Sequence, residues 1–167
     1  MIELISIALT LMASSHSMPI YFDDEQRQIG RGIIKEAHKL GEDPYTLMAI
    51  AWQESRIRRG KTSHTGDVGI FQINWSFWGK RIWKYDSYKQ FVEDMDNIEH
   101  GTLAAVMVLK EMRLYKTCIG INLYACYNGG PAWMKPKNID KIAAYARRVH
   151  IKREQFKRKF KTWADKK

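Results

Sequence analysis

Two cysteines in 167 residues cannot form a disulfide framework that holds a fold together. Cys118 and Cys126 stand eight positions apart. If the segment between them is helical, their Cα atoms lie about 12 Å apart, beyond the roughly 7 Å that a bridge can span. Both therefore read as free, buried thiols. The five histidines, at 16, 38, 64, 100 and 150, show no ligand spacing with the cysteines, so neither zinc nor any other metal or cofactor is expected. A glycine-rich phosphate loop is missing, as is a GxSxG nucleophile elbow, which argues against P-loop and α/β-hydrolase chemistry. The longest apolar run, residues 2–13, is too short for an ordinary transmembrane helix. Acidic residues are the scarce charge, 18 against 28 Lys and Arg, for a net charge of +10.

The length suits one domain with a real core, and 45% hydrophobic residues with 12% aromatics fit an ordinary globule. Helical patterns dominate. Asp24 to Leu40 reads as one helix closed by Gly41. Asp43-Pro44 is a helix start, with Asp as N-cap and Pro at the first helical position. From there Leu47, Ile50, Ala51 and Glu54 fall at i, i+3, i+4 and i+7, one helical face. Met48 and Trp52 make the flanking faces apolar too, so this helix is expected to be buried on most sides. Residues 57–87 hold four glycines and read as irregular or a small hairpin. Further helices are expected from about Ser87 to Lys116, with a break near Asp96 or Gly101, over Ile119 to Tyr127, and from Asn138 into the C-terminal tail. The fold class is mainly α, α+β at most.

Glu54 is the residue that composition does not explain. A carboxylate at the end of an apolar helix is pushed toward its protonated form by burial and by the negative end of the helix dipole. A carboxylic acid still protonated near neutral pH can donate a proton to a leaving oxygen. Arg56, Arg58 and Arg59 follow and oppose that shift. The plainer reading is a helix-end glutamate whose tip reaches water.

The residues around it carry a resemblance. Glu54-Ser55 is followed by Ser63-His64-Thr65-Gly66-Asp67-Val68-Gly69-Ile70-Phe71-Gln72, Asn97-Ile98-Glu99-His100-Gly101, Ala125-Cys126-Tyr127-Asn128-Gly129-Gly130 and Tyr145-Ala146-Arg147-Arg148-Val149. In this order the blocks resemble the soluble, lysozyme-like lytic transglycosylases, especially small versions carried by phages and conjugation systems. The departures are Asp67 in place of the usual alanine, Ile70-Phe71 for Leu-Met, and Ala146 for valine. The resemblance implies a lysozyme-like domain over residues 21–150, acting on peptidoglycan glycan strands with no cofactor. It implies that Glu54 first protonates the oxygen between N-acetylmuramic acid and N-acetylglucosamine. The same carboxylate then takes the proton of the C6 hydroxyl as that oxygen attacks C1, giving a 1,6-anhydromuramoyl end. Ser63, Gln72, Tyr127, Asn128 and Tyr145 match substrate-contacting positions, with Tyr127 expected to face the glutamate or the sugar. Each also has a structural reading: a loop-capping serine, an amide tying a loop, a core tyrosine with its hydroxyl satisfied. Phe71, Trp75, Phe77, Trp78 and Trp83 offer sugar-stacking faces or core. Two alternatives stay open: a goose-type muramidase using Asp67 or another carboxylate to activate water, and a non-catalytic virion or envelope module.

The two ends of the chain add expectations of place. Residues 1–20 read as a signal or anchor, or as a packed helix, although Glu3 and the lack of Lys or Arg before the apolar run are wrong for a secretory signal. Residues 147–167 carry ten Lys or Arg against Glu154 and Asp165. Within them Val149, Phe156, Phe160 and Trp163 recur at helical spacing. Residues 151–167 thus read as a basic amphipathic helical extension. Either its apolar stripe docks on the core, or its charge draws the protein to an anionic envelope surface or DNA. The expected location is the cell envelope or periplasm, reached by export or delivered by a virion or secretion apparatus.

Overall fold

The computed structural model describes residues 21–79, 81, 84–135 and 137–164; the N-terminal segment 1–20, Trp83 and the side chain of Trp163 lie outside the described residues. Helix α1 (Asp24–Leu40) and helix α2 (Pro44–Ser55) come first, followed by a two-stranded antiparallel hairpin, β1 (Asp67–Val68) and β2 (Ile73–Asn74), which runs into a π-helical turn (Trp75–Gly79). Helices α3 (Tyr88–Asp96) and α4 (Ile98–Met112), a 3-10 turn (Lys116–Cys118), α5 (Asn122–Gly129) and the long α6 (Ile139–Ala164) complete the chain. The described residues are mainly helical, with one small hairpin inside the 57–87 region, as the sequence pattern predicts.

Local chemistry sets the helix ends. Asp23 caps α1 in a reciprocal box with Gln26, and Gly41 closes it in the left-handed conformation (φ 66°). Asp43 accepts from the Tyr45 and Thr46 amides, and Pro44 opens α2. Leu47, Met48, Ala49, Ile50 and Ala51 are all buried, so α2 is enclosed on nearly every side. It packs most extensively on α6 and also on α1. An enclosed helix of this kind fixes the direction in which its last residues point. Asn97 is the break expected in the long helical stretch: it ends α3 and its side chain caps α4 through the Glu99 and His100 amides.

The apolar stripe of the basic tail is docked. Phe156 and Phe160 are buried, and with Phe22 and Trp52 they form an aromatic cluster with ring centroids 5.7–6.2 Å apart. Residues 151–164 continue α6, so the tail and the last long helix are one element.

The thiol expectation is overturned. Cys118 and Cys126 are joined in a disulfide, with Cα atoms 5.8 Å apart. The distance argument assumed a continuous helix between them. Instead the chain makes a 3-10 turn through Cys118, reverses at Gly120 (φ 62°), and starts α5 only at Asn122. The reversal folds the two cysteines back on each other. For the same reason α5 begins three residues later than the apolar pattern from Ile119 suggested.

Candidate active site

A groove of about 310 Å³ opens between the helices and the hairpin. Its helical wall carries Glu54 from the last turn of α2, Val108 and Met112 from α4, and residues 126–130 from α5 and its exit. Its loop wall carries Asp67, residues 72–74, Phe77 and Trp78. Gly69 makes this wall possible. It sits at φ 79° with its backbone against α3, where an added Cβ would run into the carbonyl of Met95. Ser55 joins the walls: its buried hydroxyl donates to the Ile70 carbonyl at 2.7 Å and accepts from the Arg58 amide.

Glu54 lies in the groove with burial around its carboxyl, which pushes its pKa up to about 7; the Tyr145 hydroxyl, which donates to Glu54 Oε1, pulls it down, and the nearby charge of Asp67 pushes it up again. The arginines that follow Glu54 do not counter the shift. Arg58 pairs with Asp23 and Glu25, and the Arg56 guanidinium sits 5.3 Å from the Trp52 ring centre. That corrects the expectation that they stabilise the carboxylate. Tyr145 is buried on α6, and burial together with the Glu54 charge holds its phenol well above the usual range, so it remains a donor.

Asp67 has the opposite setting. Burial alone would raise its pKa, but the Thr65 and Ser63 hydroxyls (2.6 and 2.7 Å to Oδ2), the Asn74 amide (2.8 Å to Oδ1) and the His64 charge bring it below the ordinary value. The groove thus holds two carboxyls with pKa values pushed apart, one kept protonated near neutrality and one kept ionised.

The other sequence-predicted residues divide. Gln72 lines the groove at φ 49°, its Nε2 donating to the carbonyls of Lys61 and Gly69, both at 2.9 Å, so its amide oxygen is the group left to face a ligand. Asn128 lines the groove and is exposed. The Tyr127 ring lines it too, but its hydroxyl donates to the Phe71 carbonyl at 2.9 Å rather than meeting Glu54. Tyr127 therefore braces the loop wall against α5. Ser63 is not brought to the groove: its hydroxyl caps the 63–67 turn, accepting from the Thr65 and Asp67 amides. Of the aromatic candidates, Phe77 and Trp78 line the groove, with Phe77 exposed, whereas Phe71 is fully buried and Trp75 packs on Phe91. Asn74 is a groove residue that the sequence reading missed. Its place two residues after Gln72, at the end of the same motif block, is the signal that points to it. Among the described residues no group of three His, Cys, Asp or Glu side chains converges as a metal site.

The sequence profile of the transglycosylase SLT domain matches residues 31–150. The chain belongs to that family. Members of the SLT family are lytic transglycosylases that act on peptidoglycan, and the matched span contains every residue of the groove. Searches among curated proteins and among solved structures returned no match. The SLT profile ends within α6, so the docked Phe156 and Phe160 lie beyond it.

Proposed function

We propose that this chain is a peptidoglycan lytic transglycosylase cleaving the β-1,4 bond from N-acetylmuramic acid to N-acetylglucosamine, with Glu54 as both acid and base. The observation that carries the reading is the setting of Glu54: in the groove, surrounded by apolar helix, and, among the described residues, held by one phenol donor and met by no cation. Protonated Glu54 gives its proton to the glycosidic oxygen as the C1–O bond breaks. The substrate's own 2-acetamido oxygen carries the developing positive charge at C1. The carboxylate, steadied by Tyr145, then removes the C6 hydroxyl proton while O6 closes on C1. One proton leaves Glu54 and one returns, and no water is consumed.

A second reading, hydrolysis with Asp67 as the base for water, is favoured by the presence of Asp67 in the same groove. The bonding around Asp67 weighs against it. Three side-chain donors already occupy its oxygens, out of about four lone-pair sites, and a depressed pKa makes it a poor base. Mass spectrometry of digested sacculi separates the two readings. Anhydro ends, lighter by one water, support the lyase, and reducing ends overturn it.

The proposed place of action is the envelope, reached by export or carried by a virion or secretion apparatus to open the wall locally or to lyse. The Cys118–Cys126 bridge supports an oxidising destination.

A further inference from the structure

The loops that leave α4 and α5 carry a surface that the reaction does not use. Among the described residues nine large hydrophobic side chains are left exposed, and five of them lie here: Leu114, Tyr115, Ile119, Ile121 and Met134. The other four, Tyr21, Phe77, Tyr88 and Ile151, come from scattered places along the chain, and single exposed side chains are ordinary. Leu114 and Ile119 are the extreme cases, 77% and 72% exposed. The first loop, residues 113–121, follows α4 through the 3-10 turn, and the second starts at residue 130 as α5 ends. They are fastened to each other. The Thr117 hydroxyl donates to the Pro131 carbonyl at 3.0 Å, and the Cys118–Cys126 bridge ties the first loop to α5. Apolar tips on braced loops lose little conformational freedom when something covers them.

The charge around these tips has one sign. No Asp or Glu stands between Glu111 and Asp140, and the loops carry Lys116, Lys135 and Lys137, all exposed. Ion pairs among the described residues engage Arg27, Lys39, Arg58, His100, Arg113 and Arg153, and none engages these three lysines. An apolar patch rimmed by lysine fits the interface of a bilayer that bears anionic headgroups. Short apolar tips enter the boundary between headgroups and acyl chains, while lysine stems reach along it to the phosphates. A protein partner fits less well, because lysine is depleted at protein interfaces. The basic tail offers no equivalent surface, since Phe156 and Phe160 are buried in the core and leave it no apolar face to insert.

We propose that the α4 and α5 exit loops form a peripheral docking surface for an anionic lipid bilayer. The loops leave from Met112 and Gly130, both of which line the groove, so the docked protein works beside the bilayer. Binding of lipid is independent of whether Glu54 cuts glycan.

The test is cosedimentation of the full chain with vesicles of phosphatidylcholine mixed with phosphatidylglycerol, and with vesicles of phosphatidylcholine alone. Binding to the mixed vesicles is expected to be about a hundredfold tighter, about fivefold for each of the three lysines. Leu114→Ser with Ile119→Ser is expected to weaken binding to the mixed vesicles about tenfold or more. Lys116→Glu with Lys135→Glu is expected to do the same through charge, and Ile151→Ser, which removes an exposed apolar side chain elsewhere, is expected to change nothing. All three variants are expected to keep the parent's unfolding midpoint. Failure to bind the mixed vesicles, equal binding to both kinds, or binding that survives either double substitution overturns the proposal; the last is the result if the basic tail carries the attraction. Sedimentation of the lipid-free protein as a dimer that Leu114→Ser with Ile119→Ser dissociates would assign the patch to a second copy of the chain and overturn it as well.

Discussion

The two walls of the groove treat the same functional group in opposite ways. On the helical wall, Glu54 projects from an enclosed helix and meets one hydroxyl. On the loop wall, Asp67 sits in a short hairpin among three side-chain donors. Rigid apolar packing removes water without supplying replacement hydrogen bonds, and it leaves a carboxyl protonated. A turn rich in Ser, Thr and Asn supplies them, and it leaves a carboxyl charged. The pair teaches that acid strength here is set by which element carries the residue.

Removing the helical-wall group breaks the comparison most severely. Glu54→Gln is expected to lower wall-cleaving kcat/KM by about 10²–10⁴-fold, the usual contribution of a general acid, with the far-UV spectrum unchanged. The same substitution is expected to stabilise the fold. Glu54 has a folded pKa near 7 above its ordinary 4.5, so its stabilising effect is complete below pH 4.5 and is lost as pH rises toward 7. By pH 8 the wild type carries a burden of about 3 kcal/mol that Gln lacks. Denaturant titrations at pH 4 and pH 8 check this, with the two proteins matching at the lower pH and diverging at the higher.

Much of this comparison is legible in the sequence. The apolar faces of α2, its Asp43-Pro44 start and the motif blocks place Glu54 at a helix end beside a glycine-punctuated loop, because periodicity and capping are local signals. What stays hidden is non-local. The salt bridges that draw Arg58 away from Glu54 run to Asp23 and Glu25 on α1, and no spacing rule predicts a partner more than 30 residues distant. The disulfide was missed because a left-handed glycine at 120 reverses a segment whose pattern looks helical. Ser63 and Tyr127 sit in the motif blocks, yet their hydroxyls serve the loop and the wall contact; a motif identifies a residue without saying which way its hydrogen bond points.

The disulfide bears on the helical wall, since Cys126 lines the groove one residue before Tyr127. Reducing it is expected to cost about 2–3 kcal/mol, the loop entropy of so short a closure. The check is denaturant unfolding with and without a thiol reductant, where a midpoint unmoved by reductant would contradict the bridge. Smaller effects sharpen the electrostatics. Tyr145→Phe removes the donor that lowers the Glu54 pKa, so the alkaline limb of the kcat/KM profile is expected to move to higher pH, with about a tenfold lower rate at the optimum. Asp67→Asn removes a charge that raises the Glu54 pKa, so the same limb is expected to move the other way, by less, and anhydro products are expected to persist.

The most direct measurement is a ¹³C NMR titration of the two side-chain carboxyls in the intact protein. Glu54 is expected to titrate near pH 7 and Asp67 below its ordinary 3.8. A Glu54 midpoint at its ordinary 4.5 would contradict a proton donor kept ready by burial.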